Sequence, residues 1–158
     1  GFFIFEYTTG KICKTGSSGT KMKIVEWNEK YCLGNELIDS HHKHLIELLN
    51  AYYNTVSQER NLEEIARIFN ELFKYVDYHF KAEEEMMRDY GYAKIQLHTS
   101  EHESFENRLN EFQKSMISSE EEFDVEVIYF LEEWLLNHIL LSDKELVNFI
   151  NNTSIHIV

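Results

Sequence analysis

From residue 39 onward, apolar residues recur at steps of three and four, the period of helices that each bury one face. His42, Leu45, Leu49, Tyr52 and Val56 share one stripe, and Ile65, Ile68, Leu72, Val76, His79, Glu83 and Met86 share a second. A third runs through Ile95, His98, His102, Phe105, Leu109, Phe112 and Met116 without a miss, and a fourth places Val127, Leu131, Trp134 and His138 inward. Asn61 with Glu64 three residues on, and Ser119 with Glu122, have the offset of a capping box, and Gly91 is a natural stop for the second helix. Connections this short make neighbouring helices antiparallel, so the pattern predicts an all-α fold, an up-down-up-down four-helix bundle.

Residues 1–21 keep no helical or strand period and include Gly16-Ser17-Ser18-Gly19. They read as an irregular N-terminal arm, either a native extension or a cloning remnant, with the compact domain running from Met22 to Val158. The absence of proline and the presence of six glycines in 158 residues suit helices joined by tight turns. A net charge of −13 would repel a phosphate backbone, which argues against nucleic acid as a partner. The apolar opening Gly1 to Phe5 is too short to span a bilayer and lacks the flanks of a leader peptide. A cytoplasmic protein without a membrane partner is expected, with Cys13 and Cys32 as free thiols.

His42, His79, Glu83, His98, His102 and His138 occupy stripe positions where a bundle would carry leucine or isoleucine. One inward histidine is ordinarily a hydrogen-bonded core residue, and one His-x-x-x-His is commonly surface sequence. Six such groups on four inner faces are different, because each needs a buried partner and a metal would satisfy all of them together. His79 with Glu83, and His98 with His102, are spaced to put two donors on one helical face. Asp143 follows His138 by five residues, which in an ideal helix turns it roughly 140° away. It is either a solvated acid of the last turn or, if both reach one centre, the backbone leaves α geometry between Ile139 and Ser142. His41 competes with His42, which continues the seam to Leu45; His44 and His156 read as surface residues.

These segments resemble the motifs of the hemerythrin family. Asp39-Ser-His-His42-Lys-His-Leu45 resembles its opening motif, Tyr78-His79-Phe80-Lys-Ala-Glu83-Glu84 its His-Phe-x-x-Glu-Glu, His98-Thr-Ser-Glu-His102 its His-x-x-x-His, and His138-Ile-Leu-Leu-Ser-Asp143 its His-Ile-x-x-x-Asp. The likeness spans Trp27 to Phe149. It implies reversible dioxygen binding, for carriage, storage or sensing, at two non-haem iron ions joined by an oxo or hydroxo bridge. It further implies that Glu83 and Asp143 bridge the ions, that His98, His102 and His138 hold one, and that His42 and His79 hold the other. Phe80, Trp134, Leu135 and Ile139 beside the ligands would form the apolar oxygen pocket. Two departures stand out: His41 occupies a position usually Gln or Glu, and Leu146 one that is often Tyr. A sensor that signals to a partner through the N-terminal arm, and a di-iron peroxidase, are the alternatives to a binding protein that is not an enzyme.

Overall fold

The computed structural model describes residues 23–58, 60–116 and 121–154. A single 3₁₀ turn, Glu29–Tyr31, precedes helix α1 (Glu36–Ser57), α2 (Leu62–Asp89), α3 (Ile95–Ser115) and α4 (Glu121–His138). A π-helical turn, Ile139–Asp143, joins α4 directly to α5 (Lys144–Ser154), so these three pieces form the fourth helix of the bundle.

Helix α1 begins at Glu36, three residues before the onset at residue 39 that the periodicity predicts, because Asn35 is its cap and accepts the Ile38 N–H at 3.1 Å. Asp39 instead turns its carboxylate back to accept the N–H groups of Leu33 and Gly34, at 2.7 and 3.2 Å. It thereby ties down the entry loop, where Gly34 has the positive φ of 87° that favours glycine. Asn61 caps α2 by accepting the Glu64 N–H at 3.1 Å. The return half of the box gives way to a bidentate pair between Glu64 and Arg67. At the other end Gly91, at φ 65°, allows Tyr92 N–H to reach Met87 O and Gly91 N–H to reach Arg88 O, a Schellman closure.

Ring contacts fix the antiparallel order. Near one end, late α1 meets early α2 (Tyr52 and Phe69) and late α3 meets early α4 (Phe112 and Phe123). At the other end early α1 meets late α2 (His42 and His79), and early α3 meets late α4 (His98 and His138). Leu45, Leu49, Ile65, Phe69, Phe105, Leu109, Val127 and Leu131 fill the main core, each burial worth about 1.5–3 kcal/mol. A smaller cluster of Met87, Tyr92, Leu146 and Ile150 lies beyond the histidines. The buried polar layer is therefore sandwiched between two apolar ones. Before α1, Asn50 accepts the N–H groups of Ile24 and Val25 and donates to Val25 O, pinning the entering chain to the bundle.

At the end remote from the histidines, Asp124 is buried and accepts hydrogen bonds from Tyr52 Oη at 2.9 Å and Arg60 Nε at 2.5 Å. The apolar stripe starting at Val127 gave no sign of this clasp. Among the described residues Cys32 is an exposed free thiol, and no helix is long and apolar enough to cross a membrane. Residues 1–21 with Cys13, Met22 as the domain start, Ser119 as the α4 cap, and His156 lie outside the described residues.

Candidate metal centre

The π turn sets the geometry of the site. Lys144 N–H bonds Ile139 O, five residues back, and this wider turn brings Asp143 round to the face that carries His138. The solvated-acid alternative for Asp143 is thus set aside: the residue is fully buried, with its Oδ1 2.9 Å from His138 Nε2.

Five imidazoles and two carboxylates converge from all four helices of the bundle, and every one of the seven is buried. Each histidine aims Nε2 inward. Glu83 Oε2 lies 3.1 Å from His102 Nε2, 3.4 Å from His98 Nε2 and 3.7 Å from His79 Nε2. Asp143 divides its oxygens: Oδ1 faces His98 at 3.1 Å and His138 at 2.9 Å, while Oδ2 faces His42 at 2.8 Å and His79 at 3.9 Å. The donors therefore form two overlapping groups, one of Glu83, His98, His102, His138 and Asp143, the other of His42, His79, Glu83 and Asp143. His102 Nε2 and His138 Nε2 are 3.2 Å apart. Neighbouring donors at about 2.1 Å from one ion would be separated by roughly 3 Å.

The protein does not satisfy this cluster from its own atoms. His42 Nδ1, Glu83 Oε1, His98 Nε2 and Asp143 Oδ1 are buried without a hydrogen bond. Burial, with Asp143 adding to it, pushes the Glu83 carboxyl up to about 8. Burial also opposes ionisation of Asp143, yet His138, His42 and His98 hold it well below the usual carboxylate range. Burial disfavours charge on His98 and His138 too, but the acids outweigh it and raise these imidazoles to about 9 and about 10. His102 is pushed down to about 2 by burial and by His138 and His98, and burial takes His79 well down. Two carboxylates here ask for positive charge at the centre of a ring of nitrogen donors, which is what divalent ions supply. The donor set fits non-haem iron.

Behind the ring stand residues that periodicity did not single out. His138 Nδ1 meets Glu101 Oε2 at 2.7 Å, an oxygen that also accepts from Ser142 Oγ at 2.6 Å. His102 Nδ1 meets Glu84 Oε1 at 3.2 Å, and His79 Nδ1 meets His41 Nδ1 at 3.3 Å. The contest between His41 and His42 resolves into two roles, since both are buried but His42 alone joins the converging set. His44 is half-buried against Tyr75 and joins no cluster. Leu146, where a tyrosine is often found, is buried in the apolar layer beyond the site.

An apolar cavity of about 10 Å³ abuts the ring, lined by His79, His138 and Asp143 together with Leu45, Leu49, Leu72, Val76, Phe105 and Leu131. Phe80, Trp134 and Leu135 line it as well; Ile139 is buried in the main core but is not among its walls. Phe80 stacks on His102 with centroids 3.8 Å apart, and Trp134 on His138 at 4.3 Å, so the same rings wall the cavity and hold the imidazoles.

A four-helix bundle with a buried, two-part histidine and carboxylate site is the architecture of a non-haem di-metal protein. The profile of the Hemerythrin HHE cation binding domain matches residues 33–150, and the chain belongs to the hemerythrin family. It is similar to the bacteriohemerythrin of Clostridium acetobutylicum, 29% identical over 126 residues that cover 77% of this chain and 98% of that protein. It is also similar to the bacteriohemerythrin of Methylococcus capsulatus, 33% identical over 106 residues, 67% of this chain and 80% of that one. Among solved structures, wild-type hemerythrin superposes with a TM-score of 0.67 at 27% identity, covering 77% of this chain and 93% of that one. A leucine-to-alanine variant of hemerythrin gives 0.71 at 26% identity, covering 81% and 98%.

Proposed function

We propose that the protein binds dioxygen reversibly at a pair of non-haem iron ions. The observation that carries this reading is the division of Asp143, whose two oxygens face different histidine groups. In this reading His98, His102 and His138 hold one ion, His42 and His79 hold the other, and Glu83 and Asp143 serve both. The second position has one imidazole fewer, which leaves room for a small ligand. When bound, the iron pair supplies the electrons that capture dioxygen and take them back on release.

The chain's own contribution is positioning and exclusion. The π turn sets Asp143, while the carboxylates of Glu84 and Glu101 hold His102 and His138 by their outer nitrogens. Phe80, Trp134 and Leu135 keep water from the site, and Ile139 backs them from the core. An apolar cavity admits a small apolar gas more readily than a charged reductant or water, which favours release over turnover and supports a binding protein rather than an enzyme. We place it in the cytoplasm, in keeping with the free thiol of Cys32; cell fractionation checks this.

Anaerobic iron loading followed by exposure to oxygen tests the reading. Two irons per chain, and an absorption band that appears with oxygen and fades under argon, are expected. One iron, or a band that survives deoxygenation, would contradict it.

A further inference from the structure

His41 is buried, yet it lies outside both groups of converging donors. Its ring is boxed by Tyr75 and Tyr78, with centroids 5.7 and 4.9 Å away, and its Nδ1 lies 3.3 Å from His79 Nδ1. An imidazole that gives Nε2 to a metal carries its proton on Nδ1, so on the two-ion reading above His79 is the donor in this pair. His41 must then be neutral and accept through Nδ1, with its own proton on Nε2.

The two metal positions are backed by different chemistry. Behind His138 and His102 stand the carboxylates of Glu101 and Glu84, and such anionic acceptors make an imidazole a stronger donor. Behind His79 stands a neutral imidazole, and His42 Nδ1 is buried with no partner at all. The position with fewer imidazoles is thus also the one with weaker backing.

We propose that His41 is the positioning residue of the two-histidine metal position, fixing the tautomer and orientation of His79, and that this position is the weaker of the two and fills second. His41 matters to one ion and not to the other. That selectivity separates it from a residue that merely packs.

Zinc(II) titration of the metal-free full-length chain by calorimetry tests this together with two variants. Wild type should bind in two steps. His41→Leu should weaken the second step about tenfold to a hundredfold and leave the first unchanged, while His41→Gln, whose amide oxygen can accept, should recover most of the loss. In the zinc-loaded wild type, ¹⁵N shifts of the imidazoles should show His79 protonated at Nδ1 and His41 unprotonated at Nδ1, a reading that needs no variant to fold. The proposal is overturned if His41→Leu titrates like wild type or weakens both steps together, if His41→Gln fails to recover the loss, or if the wild-type tautomers are reversed. A wild type that takes up fewer than two ions would overturn the two-ion reading itself, and this inference with it.

Discussion

At the scale of single residues, the site depends on side chains whose neighbours leave them no alternative partner. Glu83 is fully buried with one oxygen unpartnered, so Glu83→Ala should leave Asp143 as the one anion shared by the two metal positions. Metal analysis of the purified variant should find at least one of the two irons missing. Leu135 acts on access instead. It lines the cavity, and Leu135→Ala should cost about 2–5 kcal/mol of stability, keep both irons, and hasten loss of the oxygen-binding form by admitting water. Unchanged decay kinetics would show that Leu135 does not guard the site. Asp124 supplies a contrast at the far end of the bundle. Asp124→Ala strands the buried Tyr52 hydroxyl at about 1–3 kcal/mol, read as a lower denaturation midpoint, with iron content unaffected.

At the scale of elements, much of the structure was legible in the sequence, for identifiable reasons. All four helices follow from apolar periodicity, and the Asn61 and Gly91 boundaries follow from cap and stop chemistry. The departure from α geometry before Asp143 follows from a five-residue offset that no regular helix can reconcile with a shared centre. What escaped lies off the stripes. Glu84 and Glu101 flank the seam, where an acid looks like an ordinary surface residue until a ligand ring is placed beside it, and His41 stood out as a rival of His42 but not as a partner of His79. The Asn35 cap and the Asp39 tie to the entry loop also escaped, because both residue types can cap a helix and only the path of that loop distinguishes them. Two measurements probe elements. Asn61→Ala should cost about 1 kcal/mol and lower the melting temperature by roughly 2–4 °C. Deleting Leu141, an exposed residue of the π turn, should collapse that turn to α geometry, preserve the register of α5 and retain both irons. Loss of iron there would show that the wide turn itself is needed.

At the scale of the whole molecule, a polar layer that binds metal interrupts an otherwise apolar bundle, so metal and stability are linked. Without ions the chain must bury two carboxylates and several unpartnered atoms; with them the same groups become ligands. Chelation of the iron should therefore lower the melting temperature by several degrees, and readdition of iron(II) under anaerobic conditions should restore it. The central claim, that the bundle holds dioxygen without consuming it, is tested most directly by gas stoichiometry on the fully loaded, diferrous protein. The account predicts uptake of one dioxygen for every two irons and its recovery as dioxygen when the solution is swept with argon, over repeated cycles. Uptake that cannot be reversed, or that exceeds one dioxygen per iron pair, would contradict it.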